Sequence, residues 1–223
     1  MERGMNERIR KLRKQSLETE PHIYMERAKL ETEAYMMYEG SVSVPELRAL
    51  SFKHFMEHKA LCINDGELIV GEKGDGPQAA PSFPELCCHT VEDMKVMDAR
   101  DLIYFRVSEE DLKVQEETII PFWEKRSIRH KILENMSEEW KDAYAAGIFT
   151  EFMEQRGPGH TVGSEKIYKK GFQDYKNDII EARNRLDFLN DKEAFDKKAQ
   201  LNAMEICCDA IMILGERYAA YAR

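Results

Sequence analysis

Residues 148–162 read IFTEFMEQRGPGHTV, where a charged helical sequence gives way to two phenylalanines and a Gly-Pro-Gly bend. Glycines on both sides of Pro158 let the backbone approach a ligand closely, because glycine lacks a Cβ and proline restricts its own φ. Two carboxylates, Arg156 and His160 surround the bend, and they suit a small polar substrate that carries a carboxylate. The residues alone favour a plainer interpretation, in which the histidine follows a helix end and satisfies a neighbouring carbonyl.

The composition predicts a globular, largely helical chain. Of its 223 residues 43% are hydrophobic, enough for a core without disulfides, and a single domain or slightly more is expected. The charged fraction of 34% and the scarcity of glycine and proline are typical of long exposed helices. The five cysteines include two adjacent pairs and no CxxC spacing, which indicates reduced thiols rather than disulfides or a zinc site.

The charge distribution argues against two classes of partner. A formal net charge of −9 disfavours nucleic acid and anionic membranes, since both attract lysine and arginine. The basic run at residues 8–14 is interpreted as a solvated helix face. No apolar run approaches the roughly 20 residues that cross a bilayer, and no signal peptide is evident. The expected location is the cytoplasm.

Periodicity and capping residues predict the order of elements. A short strand is expected within residues 63–72, where an Asp-Gly turn leads into the apolar run LIV. The first three helices are expected to form a bundle. Helices are predicted near residues 5–16, 22–38, from 44, from 90, and over 108–118, 121–136, 137–146, 167–189 and 191–223.

Two further polar clusters could carry chemistry. Cys87, Cys88 and His89 could form a reactive thiol site, but no activating group is assigned and a structural role in the loop is favoured. His54 and His58 have the i,i+4 spacing of metal ligands, yet no third ligand is evident and an exposed pair is expected. The glycines at 71–76 lack the order of a phosphate-binding loop.

The chain resembles the glycyl radical enzymes of the pyruvate formate-lyase-like dehydratase group. The resemblance extends over nearly all 223 residues and includes YKKGF at 168–172 and LDFLND at 186–191. The segments that carry it most clearly are LSFKH at 50–54, INDGELIVGEKG at 63–74, FPE at 83–85, IIPFW at 119–123 and EQRGPGHTV at 154–162.

This resemblance implies a ten-stranded α/β barrel wrapped by helices, with residues 1–223 as its N-terminal helical part, mostly α with a short β element. It also implies a thiyl radical on a central cysteine and a glycyl radical near the C-terminus. Neither the Gly-Cys-Val-Glu segment of the former nor the Arg-Val-Ala/Ser-Gly-Tyr segment of the latter occurs here. The final helical pattern also reaches Arg223 without a stop signal. We therefore expect no catalytic residue in this chain, and an inactive N-terminal portion of a longer enzyme.

The resemblance further implies the substrate and the partners. The expected reaction is the anaerobic dehydration of trans-4-hydroxy-L-proline to a pyrroline-5-carboxylate, with glycerol, a diol or choline as alternative substrates. The glycyl radical would be installed by an activating enzyme that uses S-adenosylmethionine and an iron–sulfur cluster; no bound metal and a homodimer are expected. His160 and Phe152 match substrate-contacting residues of the group, while Arg156 and Gly159 would support the bend. A truncated helical scaffold protein is the rival from another functional class.

Overall fold

The computed structural model describes residues 6–149 and 164–223, which divide into two compact units. Unit 1 comprises Met1–Lys29 and Ala60–Gly159, and unit 2 comprises Leu30–Lys59 and His160–Arg223. Across the described residues the chain is mostly helical with one small two-stranded sheet, as the sequence predicts. None of the helices in these residues is long and apolar enough to span a membrane.

Unit 1 is built from short elements joined by long loops. Ser108 and Thr90 begin helices as predicted. The hydroxyl of each accepts a hydrogen bond from the amide three residues later, and the carboxylate of that later residue accepts one from the amide of the serine or threonine. The elements are α1 (Glu7–Glu18), β1 (His22–Tyr24), the first turn of α2 (Glu26–Tyr38), β2 (Ala79–Pro81), α4 (Val91–Ala99), α5 (Glu109–Val114), a π-helical turn (Gln115–Ile119), α6 (Ile120–Trp123), α7 (Ile128–Glu134) and α8 (Glu138–Ala145).

The small sheet does not lie where the sequence predicts it. β1 and β2 pair in parallel, with His22 opposite Ala79, whereas residues 63–72 form turns and loop. The side chain of Asn64 binds the carboxylates of both Glu67 and Glu72, at 2.9 and 3.0 Å. These hydrogen bonds lie within the segment and hold it as a loop. The strand predicted there is therefore wrong.

The predicted helix over 121–136 is interrupted. Pro121 lies in the first turn of α6 as expected, but the helix ends at Trp123 and α7 begins at Ile128. The reason is Ser127, whose hydroxyl accepts a hydrogen bond from the amide of His130 at 3.2 Å and so starts a new helix.

Unit 2 is an assembly of longer helices. The helix α3 (Val44–His58) packs against α10 (Ala194–Tyr221), and α10 packs against α9 (Phe172–Asn184), so the predicted bundle of the first three helices is wrong in its choice of partners. The helix predicted over 167–189 is shorter at both ends. It begins only at Phe172, and residues 186–191 form a turn closed by Asp187. The elements are the rest of α2, α3 (Val44–His58), a 3₁₀ turn (Ser164–Tyr168), α9 (Phe172–Asn184) and α10 (Ala194–Tyr221).

Polar contacts tie α3 to α10 at both of its ends. At the N-terminus Glu46 completes a capping box with Ser43 and accepts a hydrogen bond from Asn202 at 2.9 Å. These hydrogen bonds, first that from Ser43, hold the pKa of Glu46 below its usual value. At the C-terminus Arg217 donates to the carbonyls of Met56 and Lys59 at 2.6 and 2.7 Å. Both ends of α3 are therefore fixed in register with α10.

Candidate functional site

The structure describes the approach to the Gly-Pro-Gly segment in detail. α8 ends in a left-handed residue, Gly147, with φ of +72°. The amide of Gly147 donates to the carbonyl of Tyr144, and the amide of Ile148 to that of Ala143, both at 3.0 Å. This pair of bonds is the Schellman arrangement that terminates helices, and it turns the chain sharply away from the helix axis.

An aromatic cluster holds the next residue. The ring of Phe149 lies 5.2 Å from that of Trp140 and 5.9 Å from that of Tyr144, both on α8. Arg129 of α7 donates to the hydroxyl of Tyr144 at 3.2 Å, which links the cluster to the preceding helix. Phe149 therefore packs back on α8 and anchors the chain where the segment begins.

The chain beyond the segment is also anchored by local contacts. Lys170 forms an ion pair with Asp178 in the second turn of α9, and the hydrogen bond of this pair raises the pKa of the lysine. The amide of Gly171 donates to the carboxylate of Asp174 at 2.9 Å and so caps the start of α9. The predicted site residues themselves, namely Phe152, Arg156, Gly159 and His160, lie outside the described residues.

The second candidate cluster has the character of a structural loop. The thiol of Cys87 lies 3.9 Å from Nδ1 of His89, which is a long contact for a reactive thiol–imidazole pair. Burial raises the pKa of Cys88 to about 11, so this thiol stays protonated at neutral pH. Gln115 of the π-helical turn donates to the carbonyl of His89 at 2.5 Å and fastens the loop. These contacts favour the structural role that the sequence suggests.

A cavity of about 570 Å³ lies beside this loop within unit 1, lined by Cys87, His89 and mostly apolar side chains. One wall is held by an ion pair that sequence reasoning missed. Arg27 binds both carboxylate oxygens of Glu85, at 2.6 and 3.1 Å, and its guanidinium lies 4.0 Å from the ring centre of Phe83. The two side chains are only 17% and 9% exposed. Nothing in the sequence marks this pair, because its members are 58 positions apart.

The two histidines of α3 contact each other, with ring centroids 4.2 Å apart. His54 is only 12% exposed and contacts Glu33 at 3.2 Å, so the expectation of an exposed pair is wrong for it, while His58 is exposed. His58 contacts the carbonyl of His54 through Nδ1 at 2.8 Å. Within the described residues no three histidine, cysteine, aspartate or glutamate side chains are grouped as metal ligands.

A further titratable contact in unit 1 joins the sheet to the glycine-rich loop. His22 of β1 contacts Asp75 through Nε2 at 2.8 Å and the carbonyl of Glu20 through Nδ1 at 3.2 Å. Burial opposes protonation of the imidazole, but these hydrogen bonds outweigh it, and the pKa of His22 is raised. In the same loop Gly74 admits no side chain, because a Cβ would meet that of Ala79 at 2.5 Å.

Comparison with known proteins identifies relatives over the whole chain. The family model described as pyruvate formate lyase-like matches residues 5–223. Trans-4-hydroxy-L-proline dehydratase of Clostridioides difficile is 62% identical over all 223 residues, which span 28% of that protein. The chain therefore spans well under a third of the length of this curated relative.

Solved structures give the same result. The crystal structure of the Clostridioides difficile hydroxyproline dehydratase with trans-4-hydroxy-L-proline bound matches all of this chain with a TM-score of 0.92, over 28% of its own length. A glycerol-bound form of the B12-independent glycerol dehydratase from Clostridium butyricum matches with a TM-score of 0.87 at 27% identity, over 29% of its length. The fold is thus shared with dehydratases whose bound molecules differ.

Proposed function

We propose that this chain forms part of a glycyl radical dehydratase that acts on trans-4-hydroxy-L-proline. The chain belongs to the pyruvate formate lyase-like family. The observation that carries the proposal is the 62% identity over all 223 residues to an enzyme named for that reaction. The product would be a pyrroline-5-carboxylate, formed when the 4-hydroxyl group leaves with one hydrogen as water. The glycerol dehydratase is much less similar, which favours hydroxyproline over glycerol.

The radical chemistry would come from residues that this chain does not hold. The family implies a protein-derived glycyl radical, which would generate the cysteine thiyl radical that takes a hydrogen atom from the substrate, and we propose that a separate iron–sulfur and S-adenosylmethionine enzyme installs it. The five cysteines here lack the Gly-Cys-Val-Glu context, and burial raises the pKa of Cys88, Cys207 and Cys208. Residues 1–223 would accordingly be an N-terminal portion that is inactive by itself, in a cytoplasmic, homodimeric enzyme without a bound metal.

Within this assignment the Gly-Pro-Gly segment would form a wall of the substrate pocket. The imidazole of His160 can donate a hydrogen bond to the departing hydroxyl, and the ring of Phe152 can exclude water from the reacting centre. Arg156 and Gly159 would hold the bend in shape. The anchoring of Phe149 on α8 supports this role, because a pocket wall must start from a fixed backbone.

The test is a chimaera in which these 223 residues replace the matched part of the Clostridioides difficile dehydratase. After anaerobic activation we expect turnover of trans-4-hydroxy-L-proline and none of glycerol or propanediol. A folded, activated chimaera that consumes a diol and leaves hydroxyproline untouched would refute the proposed substrate.

The same chimaera tests the site. His160→Ala is expected to lower kcat at least about a hundredfold, the usual scale for losing a positioned proton donor. The melting temperature should not change. The matched control is His58→Ala, which removes an exposed histidine of α3 and should leave turnover intact. Equal kinetics for the two variants would assign His160 a purely structural role.

A further inference from the structure

His22 of β1 lies between two hydrogen-bond acceptors, one at each nitrogen of its ring. Nδ1 is 3.2 Å from the carbonyl oxygen of Glu20, and Nε2 is 2.8 Å from a carboxylate oxygen of Asp75. A neutral imidazole has one N–H group and one lone pair, whereas an imidazolium has two N–H groups. Because a backbone carbonyl can only accept, Nδ1 must donate to Glu20, and a neutral ring would then direct its lone pair at the carboxylate. While Asp75 is ionised, only the protonated ring makes both contacts.

The groups that surround His22 favour this protonated form. Burial alone would lower the pKa of the imidazole, but the hydrogen bonds to Asp75 and Glu20 and the charge of Asp111 on α5 outweigh it, so the pKa is raised. The cation on the neighbouring backbone, Arg106, is itself engaged by the carboxylate of Glu20 at 3.4 Å. The paired strand β2 has no ionisable side chain. The contact with Asp75 is therefore present while the ring is protonated and is lost as the pH rises through the folded pKa.

The same contact fastens the glycine-rich loop at residues 73–77, KGDGP. Within the described part of the chain, the side chains of these five residues make one hydrogen bond, that of Asp75 with His22. The backbone that follows is strained, because Gln78 has a left-handed φ of +66° that residues with a Cβ seldom adopt. Such a conformation persists only where neighbouring contacts hold it. Loss of the proton from His22 would thus release the loop at the side chain that fixes it.

We propose that His22 and Asp75 form a proton-dependent latch, which holds the glycine-rich loop against the sheet when the ring is protonated and releases it when the ring is neutral. The inference does not depend on the proposed function, since both residues lie in unit 1 and outside residues 148–162. The geometry also shows how to make the latch insensitive to pH. In Asp75→Asn the amide group can donate to the lone pair of a neutral ring, and its oxygen can accept from a protonated ring, so the loop stays held in both states. In Asp75→Ala it is held in neither.

The experiment measures how fast a lysine-specific protease cuts after Lys73 in the 223-residue chain. Lys73 is exposed but the next residue, Gly74, is buried, so cleavage requires the loop to open. Rates are taken at about pH 6 and about pH 9, on either side of the histidine range, and each is divided by that of Asp75→Ala at the same pH to cancel the pH dependence of the protease. The wild type should be cut at least about fivefold more slowly than Asp75→Ala at the lower pH and within about twofold of it at the higher. Asp75→Asn should be cut slowly at both.

Cleavage after Lys192, an exposed lysine of unit 2, is the reference site that reveals global unfolding. Two results would overturn the proposal. One is a wild type that is cut as fast as Asp75→Ala at the lower pH, since the contact would then not hold the loop. The other is equal cleavage of the wild type and Asp75→Asn at the higher pH, since the loss of the proton would then release nothing. If Asp75→Ala fails to fold, the comparison of the wild type with Asp75→Asn decides alone.

Discussion

Unit 1 and unit 2 are each stabilised internally by a different kind of contact. Unit 1 has short helices and a three-residue parallel sheet, fastened by directed polar contacts between distant residues, such as Arg27 with Glu85 and Asn64 with two glutamates. Unit 2 is formed by long helices whose apolar faces pack together, with polar contacts at the ends of α3 and ion pairs such as Lys176 with Asp209 between α9 and α10. The Arg27–Glu85 pair of unit 1 is more buried than the Lys176–Asp209 pair of unit 2. We therefore expect the larger effect of a single charge change in unit 1, whereas unit 2 should respond mainly to loss of volume.

The largest effect is expected from breaking the ion pair of unit 1. Glu85→Ala leaves Arg27 charged and largely buried, and loss of one partner of such a pair costs about 3–5 kcal/mol. Thermal and urea unfolding should show this loss in unit 1 through the fluorescence of Trp123, which is buried there. The control Glu117→Ala removes an exposed glutamate of the π-helical turn and should cost little. Equal stability of the two variants would mean that the pair contributes nothing.

A somewhat smaller effect is expected from a volume change in unit 2. Leu47 of α3 is 7% exposed, and Leu47→Ala should destabilise unit 2 by about 2–3 kcal/mol through lost burial and an added cavity. Hydrogen exchange of the α3 and α10 amides measures it. The control Leu189→Ala changes a side chain that is 95% exposed and should have no effect. If instead Leu47→Ala loosened unit 1 as strongly, the contrast between the units would fail.

The smallest effect concerns pH. Because the pKa of His22 is raised in the folded state, its contribution is fully present below the unfolded value of about 6.5 and is lost as pH rises through the folded value. Unit 1 should therefore be slightly less stable at pH 8 than at pH 5.5, by under about 1 kcal/mol because the pair is partly exposed. His22→Gln should remove this part of the pH dependence. A wild-type difference that survives the substitution would have another origin.

The helix starts were predicted well because they depend on neighbouring residues. Ser108 and Thr90 cap helices through contacts three positions away, and the pattern is visible in the sequence itself. The strand predicted at 63–72 failed for the opposite reason. Its apolar run has the residue types of a strand, but a strand also needs a neighbouring strand to pair with. Instead, the side chain of Asn64 donates hydrogen bonds to the carboxylates of Glu67 and Glu72 within the same segment.

The candidate site was predicted only from local sequence and family resemblance. The motif around His160 was recognisable from its residues. The resemblance to glycyl radical enzymes that it carries agrees with the family match over residues 5–223. The anchoring of the preceding chain was not predictable in the same way. It depends on Phe149 packing against two rings of α8, and the direction in which Phe149 points is set by Gly147 at the helix end.

The sequence by itself determined the mostly helical class, the helix caps and the family, since each depends on residue types at short spacing. Only the tertiary structure decided that β1 pairs with β2, that Arg27 meets Glu85 across 58 positions, and that α3 packs on α10 at the far end of the chain. The physical reason is that many apolar and charged residues could pair with each of these residues, and the pairs that form are those of lowest free energy. Which pairs these are is settled by the packing of the whole chain rather than by any one segment.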